Sequence, residues 1–87
     1  MKLSKKHRDT LTSIFTLPTK SGLVWKDIES LLLALGAELT AGSGSRIRIA
    51  LNGVKAVFHQ PHPRKATDRG AVVSMRRFLN TAGVENV

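Results

Sequence analysis

Apolar residues recur every three or four positions in three segments of the chain, which is the spacing of amphipathic helices. These positions are Leu11, Ile14 and Phe15; Trp25, Ile28, Leu31, Leu32 and Leu35; and Val72, Met75 and Leu79. Gly36 follows the second segment where a helix end often needs a positive φ, and Asp68 precedes the third as a candidate cap. The pattern therefore predicts a short helix over residues 5–16, a core helix over 25–35 and a closing helix over 71–81.

Between the second and third segments the pattern changes to an alternation with a period of two. Residues 46–51 and 54–59 follow this alternation, which is clearest in Arg46 to Ile49, and Asn52-Gly53 between them suits the two positive φ values of a type I′ turn. Counting outward from this turn pairs Leu51 with Val54, Ile49 with Ala56, Ile47 with Phe58, Ala50 with Lys55, Arg48 with Val57, and Arg46 with His59. The hairpin is thus predicted to have one apolar face and one basic face.

The order of these elements indicates the fold class. A first strand is predicted over residues 37–41, whereas segment 60–70, with two prolines and Gly70, is predicted to hold no regular structure. Because an isolated hairpin is marginal in water, its apolar face must cover a helix. The sequence predicts an α+β fold, with a three-stranded antiparallel sheet, helices packed on one face and a short N-terminal helical extension.

Charge points to an anionic partner. The chain has 87 residues, enough for one small domain, and its 14 Lys and Arg against six acids give a net charge of +8. The basic residues are concentrated in segment 44–77. Nucleic acid is the commonest ligand for such a field in a small protein, because neutralised phosphates release counterions. Two other readings stay open: the excess charge only keeps the fold soluble, or it meets an acidic protein.

Several classes of site are disfavoured by composition. The chain has no cysteine, so disulfides, thiolate zinc sites and cysteine nucleophiles are excluded. No apolar run approaches the roughly 20 residues of a membrane helix, and the basic start lacks the apolar core of a secretory signal. His59 and His62 have no third ligand nearby, and the glycine-serine run 42–45 lacks the lysine of a phosphate loop. We therefore expect a cytoplasmic protein with no metal, no small-molecule cofactor and no membrane contact.

The segment from Trp25 to Val84 resembles HicA-type toxins. The resemblance lies in a helix that ends in Leu-Gly, the Gly44-Ser45 pair before a strand, a proline and histidine loop, a basic residue beside Gly70, and the closing run MRRFLNTAGV. It implies a double-stranded-RNA-binding-domain-like fold, cleavage of messenger RNA without a metal, and neutralisation by a HicB-type antitoxin. On this reading residues 1–22 are a basic extension and residues 23–87 are the toxin domain.

One position departs from the family pattern. The active histidine of the family follows the Gly-Ser pair, but here Arg46 stands in that place. An arginine stays protonated and cannot accept a proton from a ribose 2′-hydroxyl, although it can hold a phosphate. His59, paired with Arg46 across the hairpin, is the predicted base, and His62 is the second candidate, as acid to the leaving oxygen. The alternative is that both histidines are surface residues without chemistry; His7 is expected to be merely solvated.

The remaining basic residues are expected to bind RNA. The predicted contacts, in addition to the site itself, are Ser45, Arg48, Lys55, Arg64, Lys65, Arg69, Arg76 and Arg77. The aromatic side chains fall on predicted core faces, so recognition of phosphate and shape is favoured over base stacking. Two functions remain: a metal-independent endoribonuclease toxin of a stress-response system, or a protein of the same fold that binds RNA or its antitoxin without cutting.

Overall fold

The computed structural model describes residues 3–61 and 66–84, which form helices packed on one face of an antiparallel sheet. The helices are α1 (Lys5–Phe15), α2 (Trp25–Ala34) and α3 (Arg69–Thr81). The strands are β1 (Leu23–Val24), β2 (Glu38–Ala41), β3 (Arg46–Leu51), β4 (Val54–His59) and β5 (Ala66–Thr67). The α+β prediction is confirmed, and each predicted helix is present with its ends shifted by no more than two residues.

The central sheet has the order β2-β3-β4, and the predicted register of the β3–β4 hairpin is confirmed at all six pairs. Asn52 and Gly53 adopt φ values of 51° and 81°, as a type I′ turn requires. The Asn52 side chain also donates a hydrogen bond of 2.8 Å to the carbonyl of Ala82. The tip of the hairpin is therefore held against the end of α3, which fixes the sheet relative to that helix.

The core lies between the sheet and the helices. Ile49, Leu51 and Phe58 enter it from the hairpin, and the buried stripes of α2 and α3 pack against them. The Phe58 ring lies between Trp25 and Phe78, with ring centroids 6.3 Å and 6.1 Å away. Burying one such side chain contributes roughly 1.5–3 kcal/mol, so this apolar face decides which side of the hairpin turns outward.

The N-terminal helix is part of the same core. Leu11 and Ile14 are buried, and α1 packs against α2 and α3. Ser4 and His7 form a capping box at the start of α1, and His7 Nε2 lies 2.8 Å from Ser30 Oγ on α2. The expectation that His7 is merely solvated is wrong, because both its ring nitrogens hold the helix in place.

Two short strands were not predicted. β1 and β5 pair antiparallel, with Leu23 opposite Thr67, and the Gly22 N–H donates to the Thr67 carbonyl at 2.9 Å. The expectation that segment 60–70 holds no regular structure is therefore wrong at residues 66–67 and at residues 69–70, where α3 begins, while residues 62–65 lie outside the described residues. Asp68 accepts a hydrogen bond of 2.7 Å from the Ala71 N–H and caps α3, so this helix begins at Arg69 rather than at residue 71.

Candidate nucleic-acid interface

The side of the sheet opposite the helices is open to solvent. We call it the outer face, and its residues are Glu38, Thr40 and Gly42 of β2 and the turn after it, Arg46, Arg48 and Ala50 of β3, and Lys55, Val57 and His59 of β4. All of these are exposed except Gly42 and Ala50, which are half-buried. Cross-strand pairing arranges them in three rows across the sheet, which give each cation a defined neighbour. The rows are Gly42, Arg46 and His59; Thr40, Arg48 and Val57; and Glu38, Ala50 and Lys55.

Arg46 and His59 form the row at the open end of the hairpin. They are directly opposite one another, and the alternating pattern from the Leu51–Val54 pair makes theirs a non-hydrogen-bonded pair. The Cβ atoms of such a pair are about 4.5–5.5 Å apart, so the imidazole and guanidinium can reach the same phosphate. Among residues 3–61 and 66–84, neither side chain has a hydrogen bond or ion pair, which leaves both available to a ligand.

The turn before β3 leaves one flank of Arg46 uncovered. The Gly42 N–H donates to the Arg46 carbonyl at 2.8 Å, and the Arg46 N–H donates to the Ser43 carbonyl at 3.2 Å. A Cβ atom at Gly42 would lie only 3.2 Å from Arg46 Cβ, closer than side chains normally pack. Gly44 has a φ of 62°, which favours glycine there. The glycines thus allow a tight turn and leave space for a ligand beside Arg46.

Ser45 and Gln60 close the same end of the hairpin. The Gln60 N–H donates to the Ser45 carbonyl at 2.7 Å, one pair beyond Arg46 and His59. Both residues are exposed and line a depression together with Gly44 and Pro61. This bond on one side and the Ile47–Phe58 pair on the other hold the backbone around Arg46 and His59, so the two side chains project from fixed positions.

The middle of the outer face combines positive charge with a small apolar surface. Arg48 lies opposite Val57, whose side chain is 57% exposed, and Lys55 lies one row nearer the turn. Arg46 and Arg48 are two residues apart on one strand, so their Cα atoms are separated by about 7 Å. Lys55 shares its row with Ala50 and Glu38, which places the one acid of this face at the end farthest from Arg46.

The arginines of α3 divide into two kinds. Arg69 and Arg77 are exposed. Arg76 is half-buried and donates from Nε to the Ile14 carbonyl at 2.9 Å, and from Nη2 to the Thr16 carbonyl at 3.3 Å and Thr19 Oγ1 at 2.9 Å. Its guanidinium therefore anchors the C-terminal end of α1. A role for Arg76 in RNA binding stays a prediction, but these three bonds already occupy the side chain.

The structure thus places four of the predicted site residues, Arg46, Arg48, Lys55 and His59, on the outer face, and Ser45 precedes Arg46 at the open end of the hairpin. The predicted residues His62, Arg64 and Lys65 lie outside the described residues. Over the described ranges, no group of three or more His, Asp or Glu side chains is placed to hold a metal ion. In the same ranges no helix is long and apolar enough to cross a membrane.

Two residues of the site, Gly42 and Val57, are not among the predicted site residues. Gly42 lies opposite Arg46, a position that follows from extending the register by one residue. Val57 lies on the basic face of the hairpin with its side chain exposed. An apolar residue among polar ones on an exposed strand is a usable signal, because it has no core to join there.

Comparison with known proteins identifies the family of the chain. A search of curated proteins and a search of solved structures found no match. The family model of the HicA toxin of bacterial toxin-antitoxin systems matches residues 25–84, about two thirds of the chain. The match begins at the first residue of α2 and includes the whole β2-β3-β4 sheet and α3. The chain therefore belongs to the HicA family of toxins from bacterial toxin-antitoxin systems.

Proposed function

We propose that this toxin binds messenger RNA on its outer face and cleaves it without a metal, with His59 as the proton acceptor, in the cytoplasm. The observation that carries the proposal is the Arg46–His59 pair, in which an exposed imidazole lies beside an exposed guanidinium on a rigid hairpin. Arg48 and Lys55 extend the same positive surface. The net charge of +8 favours a polyanionic ligand over a neutral one.

The proposed reaction is an internal transesterification of the RNA backbone. The ribose 2′ oxygen attacks the adjacent phosphorus while its proton passes to a neutral ring nitrogen of His59. The bond from phosphorus to the 5′ oxygen breaks, and that oxygen takes its proton from a second group acting as acid, the part predicted for His62. The products are a 2′,3′-cyclic phosphate and a free 5′-hydroxyl, so no water is consumed in this step.

The arginines have a different part in this reaction. Arg46 cannot accept the 2′ proton, but its guanidinium can donate two hydrogen bonds to the phosphate oxygens as negative charge develops on them. Arg48, about 7 Å farther along the strand, is placed to hold a neighbouring part of the backbone. The outer face therefore separates proton transfer by His59 from charge stabilisation by Arg46 and Arg48.

We also propose that a HicB-type antitoxin neutralises this protein. Membership of a toxin-antitoxin family supports a protein partner. An acidic surface on that partner would compete with RNA for the cations of the outer face.

A second function is favoured by one specific feature, the arginine at position 46. If proton transfer in this fold needs an imidazole after the Gly-Ser pair, the protein binds RNA or its antitoxin and does not cut. In that case Arg46 would strengthen the binding of RNA or of the antitoxin, and the protein would not cleave RNA.

Cleavage of a labelled, structureless RNA in EDTA distinguishes the two functions. We expect the wild type to generate 2′,3′-cyclic phosphate ends. His59→Ala should lower the rate by roughly 100 to 10,000-fold, the usual effect of losing a general base, with little change in RNA affinity. Arg48→Ala should instead weaken RNA binding and reduce its salt dependence.

Lys26→Ala is the matched control, because Lys26 is an exposed cation on α2, which packs against the face of the sheet opposite Arg46 and His59. It should behave as the wild type. A wild-type protein that binds RNA but yields no cyclic phosphate supports the non-catalytic function. A folded His59→Ala protein that cleaves at the wild-type rate removes His59 from the mechanism.

A further inference from the structure

β4 is an edge strand of the central sheet. The sheet order is β2-β3-β4, and in the described parts of the chain no further strand pairs with β4. In the antiparallel pattern set by the Leu51–Val54 pair, alternate residues of β4 bond to β3. The others, Lys55, Val57 and His59, direct their N–H and C=O groups toward the free edge. This edge is thus a row of unsatisfied main-chain donors and acceptors.

A groove runs beside that edge. The whole of β4 lines one side of the groove, and one face of α3 forms the other. The α3 residues lie at helical spacing and are Gly70, Ala71, Ser74, Arg77, Phe78 and Thr81. The cavity measures about 550 Å³. Six residues of β4 extend for about 20 Å. A channel of this shape, between a strand edge and a helix, fits a peptide in extended conformation.

The charge of the groove indicates what kind of peptide fits. Lys55, His59 and Arg77 line it, and the one acid among the described residues that line it, Asp68, already accepts the Ala71 N–H as the cap of α3. A second copy of β4 paired antiparallel about Val57 would place Lys55 opposite His59 of that copy, a pair that offers Lys55 no acidic partner. An acidic segment converts the same side chains into attractive contacts.

RNA matches this groove less well than a peptide does. The free edge presents N–H and C=O groups in alternation, and an extended polypeptide has the complementary alternation along its whole length. A ribose-phosphate backbone presents acceptors and 2′-hydroxyls, which leaves the carbonyls of Lys55, Val57 and His59 poorly matched.

We propose that an extended acidic segment of a protein partner adds to β4 as a fourth strand of the sheet and packs against α3. This inference rests on the toxin-antitoxin family only for the existence of a protein partner. It does not depend on RNA cleavage or on the role of His59 in it.

A selection from random twelve-residue peptides displayed on phage tests the proposal with the full-length protein. We expect the binders to be rich in Asp and Glu alternating with β-branched residues. Amide hydrogen exchange with a synthetic copy of the best binder should slow at Lys55, Val57 and His59. If no acidic peptide is enriched, or if the binders slow exchange elsewhere and leave this edge unchanged, the proposal is overturned.

Methylation of the peptide backbone tests strand pairing without altering the protein. N-methyl groups on alternate residues whose N–H faces β4 should weaken binding by about tenfold each, whereas methyl groups on the intervening residues should have little effect. Equal losses at both sets would contradict pairing. Val57→Pro removes one edge N–H from the toxin and should weaken binding similarly, with Val57→Thr as the control that retains it.

Two further tests concern the positive charge of the groove and the binding of RNA in place of the peptide. Arg77→Glu should reduce affinity for the acidic peptide at least tenfold and lessen its salt dependence. A groove that takes single-stranded RNA instead would show protection of the three edge amides by RNA and none by peptide, which would overturn this proposal. Peptide binding and RNA cleavage are measured separately, so failure of one is distinguishable from failure of the other.

Discussion

Arg76 offers a sharp test of how the N-terminal helix is attached. The change is Arg76→Met, which keeps most of the apolar stem and removes the guanidinium. In the wild type that group donates to the carbonyls of Ile14 and Thr16 and to Thr19 Oγ1. The variant leaves these acceptors at the end of α1 without their charged donor.

The expected loss follows from those contacts. Each net hydrogen bond contributes about 1 kcal/mol, somewhat more with a charged donor, and the bond of 3.3 Å to Thr16 is the weakest. Because the site is only half-buried, water can replace part of the lost bonding. We therefore expect the free energy of unfolding to fall by about 2–3 kcal/mol, which for a chain of this size lowers Tm by roughly 10–20 °C.

Thermal unfolding followed by circular dichroism measures this change. Arg77→Met is the matched control, because Arg77 is the adjacent arginine but is exposed, and its loss should change stability by no more than about 0.5 kcal/mol. Amide exchange in α1 should accelerate in the Arg76 variant alone. Equal Tm values for the two variants would refute the conclusion that Arg76 anchors the helix.

Three further predictions concern stability. Ile14→Ala should cost about 2–5 kcal/mol in chemical denaturation, since Ile14 is fully buried, and a loss below 1 kcal/mol would mean that α1 is not part of the core. Asn52→Ala should cost about 1–2 kcal/mol, because it loses both the bond to Ala82 and the ease of a positive φ; Asn52→Gly keeps the turn and should cost less. Ser4→Ala should cost about 1 kcal/mol and speed exchange in the first turn of α1, and no effect would contradict the capping box.

The hairpin and its two faces are determined by the sequence itself. Asn52-Gly53 sets the turn, the turn sets the register, and alternation then assigns Ile49 and Phe58 to the core and Arg46 and His59 to solvent. This information is local, because a hairpin pairs residues that are close in the chain. The same reasoning predicts the outer face and the Arg46–His59 pair from the sequence alone.

Contacts between distant segments were decided only by the tertiary structure. β1 and β5 are two residues long, too short to leave a periodic pattern, and they pair across more than 40 positions. Arg76 and Arg77 are identical neighbours in sequence, yet successive positions on a helix differ by about 100° in direction. One therefore points to α1 and the other to solvent. The spacing within α3 places Arg76 beside the buried Val72 and Leu79 and Arg77 away from them, but only the packing of α1 decided which acceptors the Arg76 guanidinium meets.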